Sequence, residues 1–400
     1  MEQLGIDTVT SQSFFVFGTV TLVWFVVSTV TSWYQLRHIP GPWLASVSNL
    51  WMIRASTSTR LSEVFEEAGE SYGSLVRIGP NQILTSDADF LRKSAAVRGT
   101  YNRSPWYIAF RWQPYVDSVF NLQDHVVHDK RKGQISTAYN TTGREVDLIE
   151  PSIDEQILVM LHVLRTKYVH KHEKSNPPLL DFADFSSFLT MDVISRAAFG
   201  EEFGHLRTDS DVTGFLTHLR EQWPMVSLVN ETPLLRSLFY SKIYLRLFGP
   251  NITAKTGFGK LMSGVVRIVQ QRYAKPETQM RNDMLGSWIQ HELTEQESEA
   301  EGMLSLIAGS ETTASVMRIT FLCLLSSAPV YRKLKAVVKE AVSSGTVAEP
   351  ISYGMAKEMP YLRLFRHFDF TVAYPAKPWN SKCYNVFVED NMWVRVTEAA

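Results

Sequence analysis

Cysteine is nearly absent from this chain. Its 400 residues hold two, Cys323 and Cys383. That excludes a disulfide framework and fits a reducing compartment. An excess of either charge is missing as well: 40 Lys and Arg stand against 41 Asp and Glu, for a net charge of −1. Nothing in that balance points to nucleic acid or another polyanion. Charge is wholly absent between Asp7 and Arg37, and Phe14 to Trp33 is interrupted only by Thr and Ser. About twenty such residues are what a bilayer-spanning helix needs. A cleavable signal would want a positive start and a shorter apolar core, whereas Glu2 and Asp7 precede this one. Arg37 and His38 follow it, so residues 1–36 are expected to be a retained anchor with the body in the cytoplasm. Asn-x-Ser/Thr sites at Asn102, Asn140, Asn230 and Asn251 matter only if the chain faces the secretory lumen. A luminal glycoprotein is therefore a rival reading.

What is present is apolar. Hydrophobic residues make up 45% and aromatics 12%, ample for a sizeable core. The most informative stretch is Met303-Leu-Ser-Leu-Ile-Ala-Gly-Ser-Glu-Thr-Thr-Ala-Ser315. Thr294-Glu-Gln-Glu297 in front of it has capping-box spacing, and Ser326-Ser-Ala-Pro329 closes it. The pattern predicts one helix over 294–327, roughly 50 Å long at 1.5 Å per residue, crossing the middle of a large domain. Ala308 and Thr312 share a face. Gly309 leaves a groove beside them at a cost of about 1 kcal/mol, and Glu311 next to Thr312 offers a proton source beside a hydroxyl. The bland alternative is a helix packed closely at Gly309 with Glu311 in solvent.

Taken in order, Pro40-Gly41-Pro42 is a stiff joint within a hinge at 37–50. Leu75 to Leu84 reads as two strands about Gly79-Pro80-Asn81. Tyr101, Trp106, Tyr107, Phe110, Trp112, Tyr115 and Phe120 fall in a stretch without period, expected to be loop. His128 and Lys132 lie four apart at the front of a helix running to Tyr139. Leu189 to Gly200 is an amphipathic helix. Val212 to Leu247 is broken by Pro224 and Pro233, which predicts short pieces. Helices are expected at 258–273 and 331–342, and Met359 to Arg363 would open another. Val386 to Val396 reads as a hairpin around Glu389-Asp-Asn391.

Ala308-Gly-Ser-Glu-Thr-Thr313 resembles the oxygen-binding motif on the long central helix of cytochromes P-450, the haem-thiolate monooxygenases. His128-x-x-x-Lys132 followed by Ala138-Tyr139-Asn140 resembles the family helix that salt-bridges a haem propionate. The hinge, the first hairpin, the aromatic loop and the 189–200 helix fall in the family's order. The resemblance implies a mainly α fold with a small β region, a haem b, and catalytic roles for Glu311 and Thr312. It implies cofactor contacts at His128, Lys132, Ala308 and Gly309. Partners would be an apolar small-molecule substrate and NADPH-cytochrome reductase, in fungal secondary metabolism at the endoplasmic reticulum membrane. The segment 212–247 would be a mobile lid facing membrane and substrate. The family more often has Arg at the position of Lys132, and Lys cannot supply the bidentate fork.

Past Arg363 the family pattern stops. No Glu in the chain has Arg three residues on, and no glycine-rich loop carries a cysteine. Such a cysteine would supply the thiolate that ligates the iron. Cys323 sits among Phe321, Leu322, Leu324 and Leu325, and Cys383 has no glycine near it. The chain passes directly to Leu364 and to 364–400, which resembles the family's extreme C-terminal β tail. A block of about a hundred residues, by the family's usual length, is missing between Arg363 and Leu364. A misassembled gene model, a decaying gene and a genuine short form with another role are three explanations. On this reading the chain as given binds haem weakly or not at all, and a non-catalytic membrane-anchored remnant is the alternative function.

Overall fold

The computed structural model describes residues 2–96, 101–139, 146–169, 178–249, 257–275, 281–345, 368–372, 380–383 and 386–398. Helices dominate, as expected. The longer ones are α1 (Glu2–Leu36), α2 (His125–Tyr139), α3 (Val146–Val163), α4 (Phe182–Phe199), α5 (Phe215–Glu231), α6 (Gly257–Ala274), α7 (Glu295–Ser326) and α8 (Ala328–Ser343). Strands are short. β1 (Leu75–Gly79) pairs with β2 (Gln82–Thr85). β3 (Leu180–Asp181) and β4 (Phe368–Val372) flank β7 (Trp393–Glu398), and β5 (Asn380–Cys383) pairs with β6 (Phe387–Asp390). The chain divides into two units, one of 1–101, 224–236 and 383–386, the other of 102–223, 237–382 and 387–400.

In the first unit the hairpin forms about the expected turn, with Leu75 opposite Thr85 and Val76 opposite Leu84. Its inner face joins a core of Met52, Ala55, Leu61, Ala68 and Ile78. Arg77 is buried although it is a cation. Its Nη2 donates to the carbonyls of Ser32 (2.9 Å) and Pro80 (2.8 Å), and Nη1 to that of Trp33 (3.3 Å). The guanidinium thus sits at the negative end of α1. The Arg77 N–H also bonds the Pro40 carbonyl at 2.8 Å. A Cβ at Gly41 would stand 2.3 Å from the Arg77 carbonyl oxygen, so the Pro40-Gly41-Pro42 joint is fastened to β1 by a contact that only glycine permits. Burial holds the Arg77 guanidinium below its ordinary pKa. Arg77→Met is expected to cost about 3 kcal/mol by stripping charged donors from several carbonyls. Arg77→Lys should recover only part, because an ammonium lacks the fork. An unchanged unfolding temperature in Arg77→Met would refute this role.

In the second unit α7 starts at the expected capping box: the Thr294 N–H donates to Glu297 Oε2 at 2.9 Å, and the Glu297 N–H to Thr294 Oγ1 at 3.3 Å. Its first half, from Ser298 to Ser310, is largely buried. α4 packs along it. A Cβ at Gly302 would meet Phe199 at 3.0 Å, and one at Gly309 would meet Ile194 at 2.9 Å. Those two glycines set how closely α4 and α7 approach. α4 ends at Gly200 with φ 82°, which is why glycine stands there. It is buried on nearly all sides rather than amphipathic.

Two expectations change. Pro224 does not break its segment but lies inside α5. A proline there forfeits one backbone bond, while buried Trp223 and Val229 hold the helix on either side. The C-terminal strands do not form a hairpin: β6 pairs with β5, and β7 with β3 and β4. Asn391 between them adopts φ 60°, and Glu389 turns inward, so the chain crosses to a different sheet.

Asn102 is exposed and Asn230 fully buried, so the latter is closed to glycosylation in this fold. Among the described residues no single helix is both long and apolar enough to cross a membrane; α7 and α8 pass only as a pair bent by 106°. The helix expected at Met359–Arg363, the junction between Arg363 and Leu364, and Asn140 and Asn251 lie outside the described residues.

Candidate functional site

The middle of α7 presents different faces to different neighbours. Ala308, Thr312, Val316, Ile319 and Cys323 recur at helical spacing, and all are exposed. The Thr312 hydroxyl donates back to the Ala308 carbonyl at 2.7 Å, a bond that suits a β-branched alcohol in a helix. These residues make one open, largely apolar stripe carrying a single alcohol. Gly309 lies beside it, against Ile194.

Glu311 is not in solvent. It accepts from Arg220 Nη2 of α5 at 3.4 Å and from Arg318 Nη1, seven residues along its own helix, at 3.5 Å. Arg220 in turn donates to Asp184 Oδ1 at 2.5 Å and to Ser187 Oγ at 3.0 Å. Arg318 is fully buried. Its Nε donates to the Ala183 carbonyl (3.1 Å) and Ser186 Oγ (3.0 Å), its Nη2 to Ala183 again (2.8 Å) and to Ser187. Its Nη1 also reaches Glu389 Oε2 of β6 at 3.4 Å. Burial pushes the Glu389 carboxyl above its ordinary range, while Ser315 and Arg318 oppose the shift. This network left no local signal, since Arg318 and Glu389 lie 71 residues apart in the chain.

On α2, the two residues singled out for an anionic group do not reach α7. His128 Nδ1 lies 2.9 Å from Asp129 Oδ1, and Lys132 is exposed. The cation that does reach α7 is Arg131. It donates Nη1 to Glu301 Oε1 at 3.2 Å and Nη2 to Glu297. At the far end of α2, Tyr139 Oη meets Ser305 Oγ at 2.6 Å, and burial pushes the phenol to about 12. Arg131 was concealed in a run of basic residues of which only it is buried. The aromatic segment is irregular apart from a short 3-10 turn at Pro105–Phe110. Its rings pack edge-on or tilted against one another and against α5: Phe110 lies 6.2 Å and Trp112 5.9 Å from Trp223 by ring centroid. A surface cleft of about 740 Å³ lies between 201–203 and α6 and is lined by none of the expected site residues.

The family model for cytochrome P-450 matches residues 39–365. The chain belongs to the cytochrome P-450 family. It is 39% identical over 329 residues to cytochrome P-450 monooxygenase aba1 of Botryotinia fuckeliana, covering 82% of this chain and 64% of that protein. It is 35% identical over 341 residues to cytochrome P-450 monooxygenase abl1 of Leptosphaeria maculans, covering 85% and 59%. Over 159 residues it is 39% identical to a protein named inactive cytochrome P-450 monooxygenase lolP2 of Epichloe uncinata, covering 37% of this chain and 85% of that one. The chain thus spans less than two thirds of the length of aba1 and abl1.

The family implies a haem, and the donor set decides whether this chain suits it. The exposed stripe of α7 fits the oxygen side of such a group: small residues, an alcohol and apolar neighbours. The metal side does not fit. Cys323 lies on that same stripe, about 16 Å along the helix from Thr312. A thiolate there cannot flank a planar macrocycle from the side opposite Thr312. Cys383 packs against the Met52 and Leu61 core of the first unit. Among the described residues no group of three or more His, Cys, Asp or Glu could hold a metal ion.

Proposed function

We propose that this chain is the frame of a membrane-anchored fungal cytochrome P-450 of secondary metabolism. In its complete form the enzyme inserts one oxygen atom of dioxygen into an apolar small molecule, with electrons from NADPH through a partner reductase. In the form given, the chain lacks a thiolate grip on haem b and is inactive as a monooxygenase. The observation that carries this is the open stripe of Ala308, Thr312, Val316 and Ile319 on a helix whose opposite side is fully engaged, in a chain with neither cysteine placed to face it. Roles for Glu311 and Thr312 in proton delivery, and for His128 and Lys132 at a propionate, belong to the complete form. The domain reading follows: an anchor at 1–36 and one cytochrome P-450 body at 37–400.

Membrane attachment is supported by α1, whose Val20, Leu22, Trp24, Phe25 and Val27 are all exposed. The short helices Pro233–Phe239 and Lys242–Phe248 add exposed Leu234, Ile243, Leu247 and Phe248. These surfaces suit a single-pass protein of the endoplasmic reticulum with its body in the cytoplasm and a second shallow contact from the lid. Removing residues 1–36 is expected to leave a fraction of the protein on vesicles, and Leu234→Ser with Phe248→Ser to release it. Full release by the truncation alone would remove the second contact.

Sequencing the transcript across the codons for Arg363 and Leu364 tests the enzyme reading. An in-frame extension bearing Glu-x-x-Arg and a cysteine loop is the expected result; a continuous message without it would favour the non-catalytic remnant, the reading the name of lolP2 also suits.

A further inference from the structure

Two carboxylates share one cation where α2 meets α7. Arg131 pairs with Glu297 through Nη2 and with Glu301 through Nη1. Glu301 is fully enclosed, with a relative exposure of 0%. Its Oε1 takes both the Arg131 donor and the N–H of Val119, the latter at 2.7 Å. Its Oε2 has no hydrogen-bond partner among the described residues, and neither has Arg131 Nε. An anionic oxygen so placed is costly, and one guanidinium cannot neutralise two ionised groups. Among the described residues Arg131 is the one cation paired with Glu301. Tyr139 of α2 contributes a phenol, and α4 and α6 place Phe199 and Val265 against the adjoining Gly302. In the turn before α7, His291 is engaged with Thr137 and the Ser287 carbonyl instead.

Arg131, on α2, and Val119, in the loop at 111–124, both donate to Glu301. That loop is attached to α7 at two points: Val119 on Glu301, and Gln113 Nε2 on Glu299 at 3.1 Å. It is the lightest element to displace when the carboxylate needs water. We propose that Glu301 is a proton-operated latch: protonated, it holds the Val119 segment on the central helix, and ionised, it releases that segment. The latch needs no haem and stands whether or not the monooxygenase reading holds. It would make the opening of the aromatic loop depend on pH.

Burial, opposed by Val119 and Arg131, pushes Glu301 from 4.5 up to about 7. The closed form therefore binds the proton more tightly than the open one. Closure is fully favoured below about 4.5 and is lost as pH rises through about 7, with no further change above. Hydrogen exchange of the peptide containing Val119, in the full chain in detergent and corrected for intrinsic rates, reads this directly. Protection should fall about 40-fold from pH 5 to pH 7 and level off by about pH 8. Glu301→Gln, neutral at every pH, should hold protection constant across that range. A flat profile in the unsubstituted chain overturns the proposal even if the variant fails to fold. A profile that persists in folded Glu301→Gln overturns it too, by assigning the titration to another group.

Discussion

Replacing Arg318 by methionine is expected to destabilise the second unit by about 3–5 kcal/mol, the range for leaving a buried charge without its partner. Such a loss is a large part of what a typical domain has. The side chain is fully buried and bonds Ala183, Ser186 and Ser187 of α4 while reaching Glu311 and Glu389. Methionine fills much of the volume but leaves Glu389, itself 1% exposed, facing α4 without a cation. Most of the cost should come from that stranded acid rather than from lost attraction. Arg318→Met with Glu389→Gln is therefore expected to recover a substantial part, a non-additivity typical of groups in one network. Urea unfolding of the two variants beside the parent chain makes the comparison. A single variant within about 1 kcal/mol of the parent would show that α7 does not depend on this residue to join α4 and β6.

The second large effect is all-or-none. The purified chain, supplied with haem and reduced, is expected to show none of the thiolate signature of its family. The reason is chemical. Thiolate ligation needs a cysteine on the side of the macrocycle opposite the oxygen site, and this sequence has two cysteines. One shares the helix stripe of Thr312, and the other packs, partly buried, against the core of the first unit. Any haem retained would rest on weaker donors.

Much of this architecture was legible in the residues. The capping box at Thr294 and Glu297 marked where α7 begins, because a cap is a local hydrogen-bonding device written in four residues. The turn at Gly79-Pro80-Asn81 placed the first hairpin for the same reason. Pairings between distant segments were not legible. Glu389-Asp390-Asn391 has the composition of a hairpin turn, yet inward pairing of Glu389 with Arg318 sends the strands on either side of it into separate sheets. The basic run on α2 shows the same limit. Spacing put His128 and Lys132 on one face but could not tell that Arg131 is the residue facing α7, because that depends on acids some 170 positions away. Glu311 beside Thr312 reads as available in sequence; the two arginines that engage it are visible only in the fold.

The most direct measurement is the carbon monoxide difference spectrum of this chain, expressed whole, loaded with haem and reduced. No absorbance band of a thiolate-ligated carbonyl complex is expected, while a version carrying an inserted cysteine loop after Arg363 gains one. A full thiolate band from the unaltered chain would contradict it, and would mean that Cys323 or Cys383 reaches a metal from a position this structure does not give it.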